Sequence, residues 1–430
     1  MTDREPVRRS ERAALYTTLL VVGAWLFFCA VQPHMPVNPA SRFAAMQALV
    51  DKGTWAIDDV SLGNMTIDKV FVGGHFYSSK PALLNLFGAA IYAVIKTITG
   101  LTFDRDLYTL GAVFGVLLGT LPWALSVVLL HRLLVASIAS STVRSLSVVA
   151  FGAGSLAAAY GSSFNNHIIG VACLLLMWER WHPALRDQPL ARSRLATGAI
   201  AGGFSIICEL TSGAIVAATA AVLAESLWRR RQTGDIALAA LLVALLPLVQ
   251  IGIGWSIAGT PVPIQFIDAA WKYPGSYWKR PIEFDALNEP WPVYVFHSFV
   301  GHHGLFSLTP WLLVGIPWVI SRPVEQRERL VWYAAIGALA ALIGFYMYRT
   351  VNYGGRCVGF RWFLVLHPLL ALAAARFLDT RGARWLGHPV LLGVLIGAGA
   401  ASALTGAVNP WEEGLVHAIF RALGAGSVAG

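Results

Sequence analysis

Side chains able to do chemistry are scarce in this chain, and they come in clusters. Between Pro33 and Pro81 four acids (Asp51, Asp58, Asp59 and Asp68) stand among Asn38, Arg42, Lys69, His75, Tyr77 and Lys80. Carboxylates interleaved with cations suit proton transfer and the holding of an anion. A second cluster, Arg349, Arg356 and Arg361, brackets Asn352-Tyr353-Gly354-Gly355. The glycines permit close backbone approach, and the guanidinium fork matches a phosphate or pyrophosphate; a carboxylate partner such as Glu209 or Asp68 is the competing explanation. Asn165, Asn166 and His167 offer neutral hydrogen bonds suited to hydroxyls, with capping of the next helix as the alternative. Glu209 lies between two half-length apolar runs, where facing lipid would be costly, so it is expected to face a cavity. His297, His302 and His303 fall in HSFVGHH, but no acid of known position accompanies them and no metal is assigned.

The elements that must carry these groups are membrane helices. Of 430 residues, 56% are hydrophobic and 13% charged, with a mean hydropathy of +0.61. Soluble domains carry about 25% charged residues, so a soluble enzyme is excluded, and unbroken apolar runs exclude a strand-built barrel. The net charge of +9 is read as helix anchoring, with no nucleic-acid partner. The four cysteines (Cys29, Cys173, Cys208, Cys357) form neither a CxxC nor a zinc spacing. No phosphate-cradling glycine motif occurs, so no nucleotide site is expected.

Apolar runs fall near 13–32, 81–101, 108–130, 143–160, 168–181, 195–208, 213–227, 236–258, 305–320, 330–348, 362–377 and 390–408. Arginines flank them in short basic stretches: Arg4/Arg8/Arg9/Arg12, Arg132/Arg144, Arg180/Arg186/Arg192/Arg194, Arg229–Arg231, Arg322/Arg327/Arg329 and Arg376/Arg381/Arg384. The positive-inside rule puts all of these in the cytoplasm. If every run crossed, the first two basic groups would lie on opposite sides. Pro81–Leu101, which begins with proline, continues a polar loop and carries Asn85 and Lys96, is therefore expected to stay on the outer face as a juxtamembrane or re-entrant helix.

The fold expected is an all-α polytopic membrane protein, a single domain over 1–430 with about 11 transmembrane helices. Its parts are a first span at 13–32, a long structured outer loop at 33–106, spans two to seven over 107–258, a second outer loop at 259–304, spans eight to eleven over 305–408, and an outer tail at 409–430. The N-terminus is cytoplasmic. Within the first loop Ser41 is expected to cap an amphipathic helix, Ser41–Lys52, that lies on the membrane and ends at Gly53. Thr66–Ser78 is expected to form a hairpin turning at Gly73-Gly74, with His75 and Tyr77 on one face.

The order SRFA, short helix, GTWAIDD, DKVFVGGHFYSSKP and non-crossing apolar stretch resembles the polyprenyl-phosphate-dependent glycosyltransferases of the C-type membrane fold. That group includes aminoarabinose transferases of lipid A, protein O-mannosyltransferases and oligosaccharyltransferase catalytic subunits. GSSFNNH, GLFSLTPWLL and VNYGGRCVGFRWFLVLHPLL resemble an uncharacterised bacterial branch, so the likeness covers nearly the whole chain. It implies a membrane glycosyltransferase (hexosyl- or pentosyltransferase) moving a sugar from a polyprenyl-phosphate donor to a glycan, lipid or protein acceptor at the outer face of the plasma (inner) membrane.

Such chemistry needs a carboxylate base and cations for the departing phosphate. Family members place an acid just before the Arg-aromatic pair of the first loop; here Pro39-Ala40-Ser41 precedes Arg42-Phe43. The catalytic role is therefore assigned to Asp68, with Asp58 second. Lys80, Arg361, Arg356 and Lys69 are assigned to the donor phosphate, and His75, Tyr77, Asn165, Asn166, His167 and Glu209 to sugar or acceptor. The sequence assigns no cofactor; a divalent cation is compatible with the chemistry but has no ligand set behind it. Trp271, Tyr273, Tyr277, Trp278 and Trp291 read as a carbohydrate-stacking set or an interfacial aromatic belt. Two other classes stand beside the transferase: a transporter or flippase of a lipid-linked or small polar solute, and a non-catalytic envelope-assembly protein. No internal repeat of the transporter kind is found.

Overall fold

The computed structural model describes residues 4–32, 37–281, 289–321, 326–349, 352–381 and 388–423. Most of the described residues are helical, with a single two-stranded sheet among them. α1 (Arg4–Ala30) leads to α2 (Val37–Gln47), which runs on as a wider π-turn to Lys52 and stops at Gly53 in the left-handed conformation (φ +68°). After α3 (Ser61–Asn64) the strands β1 (Lys69–Val72) and β2 (His75–Ser78) pair antiparallel, Lys69 opposite Ser78 and Val72 opposite His75. Gly73 and Gly74 close the hairpin with φ of +59° and +90°, which a two-residue turn of this hand requires.

α4 (Ala82–Thr99) follows, then α5 (Leu107–Gly115) and α6 (Leu121–Ser137), joined by a π-turn into one helix of 31 residues. α7 (Ser141–Gly154) breaks by 44° into α8 (Leu156–Ala159), where Ser155 caps the second piece. α9 (Asn166–Leu185), α10 (Arg192–Cys208), α11 (Ser212–Arg229) and α12 (Thr233–Ala258) come next. The short helices α13 (Asp268–Trp271), α14 (Trp291–Phe299), α15 (Leu305–Leu308) and α16 (Ile316–Ile320) precede α17 (Gln326–Arg349), α18 (His367–Arg381), α19 (Pro389–Gly406) and α20 (Leu415–Ala422).

Among the described residues seven helical segments are long and apolar enough to cross a membrane, eight if the bent α7–α8 pair is one span. This is the make-up of a multi-pass membrane protein. Apolar side chains such as Leu20, Val21 and Phe27 on α1 and Leu241, Leu245 and Leu248 on α12 face outward, as lipid contact demands. The eleven expected crossings are not all of that kind. α9, α10 and α11 form where expected but are shorter or less apolar. α9 is packed against α6, α10 and α11, and a helix enclosed by others need not be apolar all round. The 305–320 run is a broken helix, interrupted by a tighter turn at Pro310–Gly315, since Pro310 and Pro317 each remove a backbone donor. Ala82–Thr99 is itself one of the seven, so its length does not keep it out of the membrane.

α2 departs from the expected surface helix. It begins at Val37, ahead of Ser41, and residues 38–48 are buried on every side. Ala40, Ala44, Ala45 and Ala48 let neighbours approach closely, and Phe43 meets Phe103, Phe114 and Phe164 with ring centroids 5.0–5.8 Å apart. Ser41 serves as a link: its hydroxyl donates to the Asp68 carbonyl (2.6 Å) and touches Ser78 Oγ (2.8 Å). α2 thus pins the hairpin from below.

At the opposite end of the bundle the basic stretches meet. Arg144 binds Glu11 and the Ile138 carbonyl, Arg376 donates to the Ser137 carbonyl, and Asp379 accepts from the amides of Ala139 and Ser140. Of the arginines read from the sequence, the side chains of Arg4, Arg8, Arg322, Arg327, Arg349, Arg381 and Arg384 lie outside the described residues.

Candidate functional site

Asp68 sits in the last turn before β1, and its position is fixed by backbone. Its amide donates to Thr66 Oγ1, and its carbonyl accepts from Ser41 and from Ser79 Oγ (2.9 Å). The hairpin folds Ser78–Pro81 back alongside, so Lys80 Nζ donates to Asp68 Oδ2 at 2.6 Å and Asn38 Nδ2 approaches the same oxygen at 3.3 Å. Both members of the Asp68–Lys80 pair are largely shielded from solvent.

Two arginines complete the cluster from distant segments. Arg42, fully buried on α2, donates to Asn38 and to Asn166 Oδ1 at the start of α9. Arg361 lies with its guanidinium 5.2 Å from the Trp411 ring centroid. Gly354 makes room for it: a Cβ there would stand 3.0 Å from Arg361 Nε. Arg42 Nε and Arg361 Nε are buried donors with no hydrogen-bond partner among the described residues, and Asn85 Oδ1 is a buried acceptor in the same state. Unsatisfied buried polar atoms in a cavity wall mark where a ligand or water belongs.

The electrostatics follow from this crowding. Burial raises the Asp68 carboxyl, but Lys80, Arg361 and Arg42 outweigh it and hold the carboxyl below its ordinary value. Burial lowers the Lys80 ammonium to about 8, with Asp68 opposing that shift and the two arginines adding to it. Arg42 is lowered to about 9, by burial first and then by Arg361. Three cations that push on one another around one carboxylate are poised for a further anion.

These groups open on one cavity of about 1460 Å³. Across it Glu209 sits between α10 and α11. His167 Nδ1 lies 2.7 Å from Glu209 Oε2, and the Tyr346 hydroxyl donates to Oε1 at 2.9 Å while also contacting Thr211 (2.9 Å). One flank is apolar, built from Ile206 and Ile207 of α10, Pro247, Ile251 and Ile257 of α12, and Phe345 of α17. The two expected outer loops and the expected outer tail all contribute to the lining, through Asn38–Asn85, Pro261–Trp278 and Trp411/Glu412, together with Asn166/His167, Glu209–Thr211 and Asn352–Arg361.

Of the sequence-assigned residues, Asp68, Lys80, Arg361, Arg356, Tyr77, Asn166, His167 and Glu209 line the cavity. The others do not. Asp58 accepts from the Phe76 amide and contacts His75 Nδ1 (3.2 Å), a structural brace behind the hairpin. His75 stands at the hairpin turn, away from the cavity, although it shares a strand face with Tyr77. Lys69 alternates to the strand face opposite Asp68; it donates to the Gly63 carbonyl and covers the Phe76 ring. Asn165 is a helix cap, accepting from the Ile168 amide and donating to the Tyr160 and Ser163 carbonyls. Arg356 is half-exposed and engaged by Glu412 and Glu413.

Sequence reading placed Asn38 and Arg42 in the first-loop polar cluster without giving either a role, and it missed Asn85, Thr211, Tyr346 and Trp411 as lining residues. The available signal for Arg42 was its being the single charged residue between Pro39 and Val50. No protein-family model matches the chain, and no curated protein matches it.

Proposed function

We propose that this protein is an integral-membrane glycosyltransferase that takes a sugar from a polyprenyl-phosphate donor at the outer face of the plasma membrane. The observation that carries this reading is the gathering of Arg42, Lys80 and Arg361 around Asp68 in a cavity whose other flank is apolar. A phosphate on an isoprenoid tail has that polarity. α12, which supplies much of the apolar flank, also exposes Leu241, Leu245, Leu248 and Trp255 on its outer side, so the tail has a lipid-side wall to follow.

In the reaction an acceptor hydroxyl or amine attacks the anomeric carbon of the donor. The carbon–oxygen bond to phosphate breaks, its electron pair leaves on the phosphate oxygen, and the acceptor proton passes to the Asp68 carboxylate. The phosphate gains one negative charge in that step, so cations aimed at it stabilise the transition state more than the bound donor. Asn166, His167 and Glu209 with Tyr346 offer hydrogen bonds to sugar hydroxyls. Eleven crossings with α4 held at the outer face remain part of this reading: α4 is tied down by Lys96 to Asp51 (2.7 Å) and by the Leu83 amide to Gln250 (3.0 Å), both contacts within protein.

The test is direct. Purified protein in liposomes is given a synthetic polyprenyl-phosphate hexose and an envelope extract as acceptor source. Release of free polyprenyl phosphate that depends on the extract supports the reading. Movement of intact lipid-linked sugar between leaflets without release identifies the transporter class instead.

A further inference from the structure

A second cluster of chemistry-bearing residues lies behind the Arg361 loop, outside the cavity. The loop after α14 carries His302 and His303, and α20 brings His417 to them from more than a hundred residues away. One ring nitrogen from each of the three lies within 4.8 Å of the others, and all three residues are buried. His302 Nδ1 and His303 Nδ1 are 2.6 Å apart with ring planes at 82°, a hydrogen bond in which one of the two nitrogens carries the proton, so that proton must move to the ring's Nε2 before both Nδ1 atoms can hold one cation. His302 Nδ1 or Nε2 also lies within 4.8 Å of ligand atoms on His297 and Glu289, and Glu413 Oε2 is 3.5 Å from His417 Nε2.

We propose that His302, His303 and His417 form a binding site for a zinc-class divalent cation, with a neighbouring carboxylate or water as fourth ligand. Three imidazoles with one open position are a donor set that zinc accepts in tetrahedral geometry. Bonds of about 2.0–2.1 Å to each nitrogen put tetrahedral ligand atoms about 3.3 Å apart, which small rotations of these rings reach.

The site would act as a staple. His303 accepts the Phe360 amide at its carbonyl (2.9 Å) and its ring stacks on Tyr353 at 4.8 Å. The Val358 amide donates to the Pro410 carbonyl (3.0 Å). A cation on the three histidines therefore ties α20 and the Trp411–Glu413 stretch to the loop that presents Arg361. The assignment does not depend on sugar transfer.

The experiment is equilibrium dialysis of the full-length protein in detergent against zinc, followed by metal analysis and by the visible spectrum of the cobalt(II)-loaded protein. Roughly one zinc per chain is expected to be retained, with an intense four-coordinate cobalt band. His417→Ala should weaken retention at least tenfold. His417→Cys should keep the metal and add a thiolate-to-cobalt charge-transfer band in the near ultraviolet, which holds the test open if the alanine variant fails to fold. No zinc retained by the parent protein, or retention at the parent's level by His302→Ala and His417→Ala, overturns the proposal, as does a His417→Cys protein that binds cobalt without the new band.

Discussion

Asp68 and Lys80 face each other at 2.6 Å, both largely shielded from solvent, and in the proposed reaction their protonation would set the working pH range. Asp68 stays a carboxylate below the ordinary carboxyl range, so its protonation does not limit activity between pH 5 and neutrality. Lys80 is the group at risk: with its ammonium lowered to about 8, the cation is lost as pH rises through that value. The donor KM is therefore expected to rise above pH 8, and Lys80→Arg should flatten that limb because a guanidinium does not titrate there. Asp68→Asn should cut kcat by roughly 10²- to 10⁴-fold, the usual range for a lost proton-transfer group. It should also cost up to about 3 kcal/mol of stability by leaving Lys80 buried beside two arginines, read from the unfolding midpoint in detergent. Arg361→Ala should raise the donor KM by about 10- to 100-fold, the worth of a hydrogen bond to a charged group, with the acceptor KM unchanged; equal loss on both would place Arg361 elsewhere. Asp68, Lys80 and Arg361 were legible in the sequence because charge in an apolar chain has few reasons to exist. Lys69, Asp58 and His75 fall outside the cavity because sequence proximity to Asp68 says nothing about strand alternation: Lys69 projects to the other face, and Asp58 serves the Phe76 amide.

Helices and hairpin bring these residues together through close backbone contact more than through side-chain bulk. The long α5–α6 helix passes the 161–163 turn so tightly that a Cβ at Gly119 would lie 2.8 Å from the Ser163 carbonyl and 3.0 Å from that of Gly161. Both obstacles are backbone, which cannot swing aside. Gly119→Val should therefore destabilise by about 1–3 kcal/mol, and it should displace Asn166 and His167, weakening donor binding in protein that remains folded. Gly88→Ala is the contrasting case. The atom in its way is the Met46 methyl, the end of a flexible side chain, so a much smaller loss is expected in the same measurement. The Gly73-Gly74 turn and the helical runs could be read ahead of time from local patterns. The burial of α2 could not, because its partners Phe103, Phe114 and Phe164 are remote in sequence and its alanines suit an interface as well as a helix.

Taken whole, the molecule has two unlike ends. At one, Arg144, Arg376 and Asp379 knit short basic connections; at the other, every long polar connection contributes to one cavity. The membrane reading puts the first end in the cytoplasm. Asp59→Cys should accordingly react with an impermeant maleimide added to intact cells, and Thr233→Cys only after permeabilisation; the reverse pattern would invert the topology. The number of crossings was the least legible feature, since an apolar run in sequence does not distinguish a lipid-facing span from an enclosed helix such as α9. The proposed function depends on the cavity recognising a lipid-borne phosphate. The most direct measurement compares the affinity of the purified protein for a polyprenyl phosphate with that for the matching polyprenol. Binding of the phosphate at least tenfold tighter, with the difference abolished in Arg361→Ala and Lys80→Ala, is the predicted result. Equal affinity for phosphate and alcohol, or a preference untouched by both substitutions, would contradict it.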